Sequence, residues 1–224
     1  LLKLTQKDNN HWRPEKLNLN ILFEDDDIII INKPSGLVTH PGAGNWSGTL
    51  ANALLYYDSN LSNIDRAGIV HRLDKNTSGL MVVAKNIKSQ KFLVEQLQTH
   101  SVEREYSAIV YGHMISGGTI NEPIGRDSKD RVKQTVMANG KEAITHYRAI
   151  DRFKSHTHVK AILETGRTHQ IRVHLSYLGH PLIGDPTYGG RVRFPKKASQ
   201  ELKDGLINCQ RHALHSKKLT LIHP

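Results

Sequence analysis

The sequence predicts an α+β fold with a largely antiparallel sheet. Segments with the twofold alternation of strands outnumber those with helical spacing. Strands and helices do not alternate strictly, as a doubly wound parallel sheet would require. The 224 residues suit one large domain or two small ones and can bury a substantial core.

Taken in order, residues 1–20 are polar and aperiodic and read as an arm or linker. Residues 25–31 (DDDIIII) carry a continuous β-branched run, as a buried strand does. Asn32-Lys33-Pro34-Ser35-Gly36 breaks it. Residues 49–57 place Leu50, Ala53, Leu54 and Tyr57 at helical spacing, with Ser47 as a candidate cap. Residues 67–71 and 80–85 are apolar runs flanking a polar turn, so they read as strand, turn, strand. Asn86 is placed to cap a second helix with Leu93, Val94 and Leu97 on one face. Further strands are expected at 104–111 (Tyr106, Ala108 and Val110 on one side), at 144–150 (Ile144, His146, Arg148, Ile150) and at 158–163 (Val159, Ala161, Leu163). Residues 168–177 return to helix, with Ile171, Leu175 and Leu178 in register. Two long basic loops are expected at 123–134 and 181–210. The chain opens on Leu1 rather than Met and stops at Pro224 just past an alternating stretch, Leu219-Thr220-Leu221, which reads as part of a longer protein.

Charge narrows the partner. Lys and Arg number 31 against 21 Asp and Glu, a formal +10 that attracts a polyanion. No apolar run approaches the ~20 residues that span a bilayer, and no signal-peptide pattern opens the chain. One cysteine, Cys209, excludes an internal disulfide framework and fits a reducing, cytoplasmic compartment. Nucleic acid is therefore the expected partner, with no membrane, and nothing in the chain demands an obligate oligomer, so a monomer is expected.

Two polar segments carry the chemistry. The run GIVHRLDKNTSGLMVVAKN (68–86) presents Asp74 at a turn beside Arg72 and Lys75, cations that favour its charged form. Such a carboxylate is a nucleophile or a base, or else a turn residue bonding its own backbone. The run ETGRTHQIRVHL (164–175) leads from a strand through Gly166 into a helix. Arg167 there suits bidentate pairing with a carboxylate or phosphate, or is simply a surface cation; Arg172, five positions on, faces elsewhere. Tyr106, on the apolar side of its strand, is either a core tyrosine or an aromatic platform for a base whose hydroxyl can move a proton. The 14 histidines fall in no H-E-x-x-H frame and there is no C-x-x-C, so no metal is expected. Lys33-Pro34-Ser35-Gly36 and Gly42-Ala43-Gly44 do not complete a phosphate-loop or dinucleotide motif, so no nucleotide cofactor is expected.

Read together, LFEDDDIIIINKPSGLVTHPGAGN, AGIVHRLDKNTSGLMVVAKN, REYSAIVYG, LETGRTHQIRVHLSYLGHPLIGDPTYGG and RHALHS resemble the RluA-type pseudouridine synthases over residues 21–224. The resemblance implies a catalytic domain with a mixed, mainly antiparallel sheet, flanking helices and a central RNA-binding cleft. It implies isomerisation of uridine to pseudouridine in 23S large-subunit ribosomal RNA or its precursor particle; for the member these runs match best, the target is the stem-loop called helix 69. Carried over by position, Asp74 is the catalytic aspartate, Tyr106 the residue that stacks on uracil, and Arg167 the arginine that ion-pairs with the aspartate. Arg72 is the residue that enters the RNA helix as the target base leaves, and His71, Lys75 and Arg172 are expected RNA contacts. The S4-type module usual at the N-terminus of close relatives is absent from this chain. Other readings of the same residues are a non-catalytic RNA-binding module, an aspartate-dependent nucleoside hydrolase and, less readily because no acids pair near Asp74, a metal-dependent nuclease.

Overall fold

The computed structural model describes residues 12–42 and 44–224. The chain separates into two compact units, each assembled from non-contiguous segments. The first holds the described residues through Lys75, then Gly79–Thr99 and His223–Pro224; the second holds Asn76–Ser78 and His100–Ile222.

In the first unit, strands β1 (Ile21–Glu24) and β2 (Ile28–Lys33) pair antiparallel. The acidic run is not part of a strand, contrary to the expectation for residues 25–31. The Asp25 carboxylate accepts hydrogen bonds from the N–H groups of Asp27 and Ile28 at 2.9 and 2.8 Å, closing the turn that starts β2. Helix α1 (Leu50–Tyr57) is capped by Thr49 rather than Ser47. Thr49 and Asn52 exchange side-chain and main-chain hydrogen bonds, a reciprocal capping box, and Leu50 and Leu54 are wholly buried. Strand β3 (Ser78–Ala84), whose residues from Gly79 on belong to this unit, pairs antiparallel with β2 from Ile28↔Ala84 to Lys33↔Gly79. Helix α2 (Ile87–Gln98) takes its cap from Asn86, whose side chain accepts from the Ser89 N–H at 2.9 Å, and buries Leu93. Residues 67–71 do not form the expected strand. Arg66 and Ala67 both adopt left-handed backbone, φ 54° and 52°, followed by Gly68 at 77°, and the segment pairs with the β3 backbone through the isolated bridge Ile69↔Val83. A Cβ on Gly68 would lie 1.9 Å from the Ala84 carbonyl oxygen, so glycine is required there.

The second unit runs β4 (Glu103–Tyr111), β5 (Gly117–Asn121), β6 (Ile124–Arg126), β7 (Gln134–Val136), β8 (Ile144–Arg152), β9 (His156–Leu163), α3 (Gln170–Tyr177), α4 (Gln200–Asn208) and β10 (Leu214–Thr220). Its sheet is antiparallel in the order β10-β4-β9-β8-β5, and β6 and β7 form a separate hairpin. Strand β4 buries Arg104, Tyr106, Ala108 and Val110, and β9 buries Val159, Ala161 and Leu163, the faces that the alternation predicts. In β8 the fully buried residue is Thr145, not Ile144 or its alternates. Its hydroxyl has buried polar partners on α3, which the apolar pattern does not register. The two expected loops are partly ordered. The first contains β6 and the start of β7, and the second contains α4, capped by Ser199, whose Leu206 packs with Tyr111 and Ile183. Val173 of α3 packs on Ile124 and Ala143. Among the described residues no helix is long and apolar enough to cross a membrane.

Candidate active site

In the first unit the turn that carries Asp74 is pinned on both sides of that residue. The carbonyl of Leu73 accepts a hydrogen bond from the buried Thr39 hydroxyl at 2.8 Å. The carbonyl of Lys75 accepts from the Gly36 N–H at 2.8 Å and from the Lys33 ammonium at 3.1 Å. Lys33 is wholly buried, and its Nζ also donates to the carbonyls of Pro34 and Leu37 at 3.0 and 2.8 Å. The Lys33-Pro34-Ser35-Gly36 segment, which fits no phosphate-loop pattern, thus wraps its own ammonium and braces the Asp74 turn. The sequence carries a signal for this: a lysine continues an isoleucine strand at a position whose parity points inward. Asp74 itself is half-buried, while Arg72 and Lys75 beside it are exposed.

His71 has a partner inside the fold. Its Nε2 accepts from the Val82 N–H at 3.1 Å, which fixes the ring to β3 and requires an unprotonated nitrogen. His40, near the same turn, stacks on Trp12 with ring centroids 6.3 Å apart. Burial lowers its pKa, and the charges of Arg72 and Arg66 lower it further.

Asn76, Thr77 and Ser78 come next in sequence and belong to the second unit. There the RHALHS segment holds them: Thr77 Oγ1 lies 2.8 Å from His212 Nε2, and Ser78 Oγ lies 2.9 Å from His215 Nδ1.

The second unit also contains Tyr106, Arg167 and Arg172. Tyr106 lies mid-strand on β4, opposite Ala161 of β9 and Ser216 of β10, and is only 5% exposed. Small neighbours on both strands leave its ring as the bulky group of that stretch. Arg167 is exposed on the turn before α3. Its main-chain N–H donates to Gln170 Oε1 at 2.9 Å, and its Nε donates to the Glu142 carbonyl at 2.8 Å. With Nε engaged there, the terminal guanidinium nitrogens are the donors suited to an incoming anion.

Arg172, expected to touch RNA, is used within the fold. It is buried and holds Asp185 bidentately through one edge of its guanidinium, Nε to Oδ2 at 2.8 Å and Nη2 to Oδ1 at 2.9 Å. Its guanidinium also lies 5.0 Å from the centre of the Tyr188 ring. Burial alone would raise the Asp185 pKa; the Arg172 hydrogen bonds and charge, with the N–H groups of Thr187 and Tyr188, outweigh it and hold the carboxyl below its usual range. The Tyr188 hydroxyl accepts from the Gln134 N–H and lies 2.9 Å from His169 Nδ1, tying the start of α3 to β7.

The first unit therefore presents a braced carboxylate within a cationic loop. The second presents a buried tyrosine and an arginine on an anchored turn. Among the described residues no group of three or more His, Cys, Asp or Glu side chains is placed to hold a metal ion.

The sequence profile of RNA pseudouridylate synthases matches residues 27–177. The chain is 53% identical over 224 residues to ribosomal large subunit pseudouridine synthase D of Pseudomonas aeruginosa, covering all of this chain and 70% of that protein. It is 54% identical over 213 residues to the protein of the same name from Escherichia coli, covering 95% of this chain and 65% of that protein. The chain thus spans about two thirds of the length of these relatives. Among solved structures it is similar to human RNA pseudouridylate synthase domain containing 1, with TM-score 0.70 and 27% identity over 92% of this chain and 79% of that one. Human RNA pseudouridylate synthase domain containing 4 gives TM-score 0.68 and 28% identity over 90% and 84%.

Proposed function

This chain belongs to the RNA pseudouridylate synthase family, and we propose that it isomerises specific uridines to pseudouridine in 23S large-subunit ribosomal RNA, with helix 69 as the target stem-loop. The observation that carries the proposal is the 53% identity, over the whole chain, to a protein named ribosomal large subunit pseudouridine synthase D. The +10 charge suits that partner, and a cytoplasmic monomer acting on the ribosomal precursor is the matching setting.

The reaction breaks the N1–C1′ bond, turns the uracil, and joins C5 to C1′. C5 loses a proton and N1 gains one, so composition and oxidation state are unchanged. A stacked base cannot do this; it must leave the helix at a cost of a few kcal/mol. In this reading Arg72 fills the space it vacates, and Lys75 meets the phosphates nearby. His71, with one nitrogen committed to β3, shapes the same loop. Asp74 acts as a carboxylate, by adding to C1′, by adding to C6, or by taking the 2′ proton. Each route needs its oxygens held still, and the bracing by Thr39, Gly36 and Lys33 supports that requirement. In the same reading Arg167 is the planar fork suited to an anion, and Tyr106 is the face on which the detached uracil turns.

The test uses a synthetic stem-loop with tritium at uracil C5. Joining C5 to C1′ releases the label to water. Asp74→Asn is expected to abolish release while the stem-loop is still bound at close to wild-type affinity. Turnover by the variant would overturn the role of Asp74. Binding without release by the wild type would favour an RNA-binding module, and free uracil would favour a hydrolase.

A further inference from the structure

One buried polar string in the second unit has a hydrogen assignment that can be read end to end. Gln170, 2% exposed, uses every hydrogen-bonding position of its carboxamide. Its Oε1 accepts from the Thr165 hydroxyl at 2.8 Å and the Arg167 N–H at 2.9 Å. Its Nε2 donates to the Ile144 carbonyl at 2.9 Å and to Thr145 Oγ1 at 3.0 Å. The Glu122 carbonyl can only accept, so His174 Nε2 carries the ring proton and donates to it at 2.9 Å. In the neutral ring Nδ1 is then the acceptor, and it takes the hydrogen of the Thr145 hydroxyl at 2.9 Å. At the other end, Thr165 Oγ1 accepts from the Ile144 N–H at 2.9 Å. Gln170 also returns a main-chain bond, its N–H to the Arg167 carbonyl at 3.1 Å, so both backbone groups of Arg167 are tied to it.

We propose that Gln170 is a positioning residue for Arg167: its carboxamide, oriented by Thr145 and His174, fixes the turn from which the guanidinium is presented. The proposal rests on the reading of Arg167 as the cation of the active site. Arg167 is exposed, and without these bonds its turn would hold several conformations with the fork aimed differently. The orientation of the carboxamide matters because a flipped amide would set NH₂ against the Arg167 N–H, donor against donor.

Gln170→Glu tests this with almost no change in shape. As a carboxylate it still accepts from Arg167 and Thr165 but loses both donors and faces the Ile144 carbonyl with an oxygen. Protonated, it regains one donor. On the C5-tritiated stem-loop, the single-turnover rate at pH 8.5 is expected to fall about 10- to 100-fold, the range that small misplacements cost, with affinity for the stem-loop within about 2-fold. Relative to wild type at each pH, the rate should recover as pH is lowered to 6.5. In an Arg167→Ala background, Gln170→Glu should cause no further loss.

A folded Gln170→Glu protein with the wild-type rate at every pH, or losses that simply add in the double variant, would overturn the proposal. An Arg167→Ala protein at wild-type rate would instead overturn the reading of Arg167 on which it rests. If Gln170→Glu does not fold, Thr145→Val and Thr145→Ser pose the question one bond away. Loss in the valine variant with recovery in the serine variant supports the proposal, and equal rates overturn it.

Discussion

Replacing Arg172 with methionine separates the two employments open to this residue. Methionine keeps most of the apolar stem and removes the guanidinium, leaving the Asp185 carboxylate with the N–H groups of Thr187 and Tyr188 alone. Arg172 and Asp185 side chains are only 6% and 0% exposed, so water cannot replace the lost partner. Removing one member of such a buried pair costs about 3–5 kcal/mol. Asp185 can escape by taking a proton, which caps the penalty. From pH 7 to the ordinary aspartate value of 3.8 is about three pH units, about 4 kcal/mol at 1.36 kcal/mol per unit. For a chain of this length that lowers the melting temperature by about 8–16 °C at pH 7. The dependence on pH has opposite signs in the two proteins. In the wild type the Asp185 pKa is depressed, so its contribution is full above the unfolded value and lost as pH falls through the lower folded one. The variant's raised value works in the opposite sense, so its deficit should shrink steadily from pH 7 to pH 5. Thermal melts at the two pH values and stem-loop binding across salt concentrations measure this. An unchanged melting temperature with a salt slope reduced by about one would mean that Arg172 meets a phosphate, and the structural assignment would be refuted.

Lys33→Met removes the cation shared by the carbonyls of Pro34, Leu37 and Lys75; a loss of about 3 kcal/mol is expected, offset in part because an ammonium is no longer buried. Its single-turnover rate should fall further than its RNA affinity, and a stable, fully active variant would contradict the bracing of Asp74. Stability should also depend on histidine protonation. His40, His156 and His174 have pKa values lowered by burial, so their contribution is complete above about 6.5 and lost as pH falls toward the folded values. His223 is raised by its bond to Asp25 and works in the opposite sense, but it lies at the surface. A melting temperature that stays constant from pH 7 to pH 5 would argue against the buried neutral rings.

Apolar periodicity made part of the fold legible in the sequence. Strands β4 and β9 have their predicted faces because alternating aliphatics meet a core there, whereas of the predicted α2 face only Leu93 is fully buried, beside the polar Ser89 and Gln96. The features that periodicity hides depend on polar partners far apart in sequence. The inward face of β8 carries Thr145, chosen by Gln170 and His174 rather than by hydrophobicity. Asp25 converts the head of an apparent strand into a turn. Helix α4 is hidden in a basic loop although Ser199 caps it, because Leu206 is its one buried residue. At the candidate site, Asp74 and Arg167 stand out in dense polar motifs, whereas Lys33 and Gln170 look ordinary until their bonds are traced. Arg172 shows the converse, a conspicuous cation whose partner, Asp185, lies thirteen positions away.

The left-handed turn at Arg66, Ala67 and Gly68 gives the approach to Asp74 a mechanical character. Each L-residue wound in this sense costs about 1–2 kcal/mol, so Arg66 and Ala67 together hold about 2–4 kcal/mol against a net stability of about 5–15 kcal/mol for a typical domain. Strain of that size persists only where the surroundings leave no alternative. Here the Ala84 carbonyl walls off Gly68, and the Ile69↔Val83 bridge clamps the far side. The segment leading into His71 and Arg72 is therefore a wound spring rather than a hinge. The residues beyond it start from a fixed point.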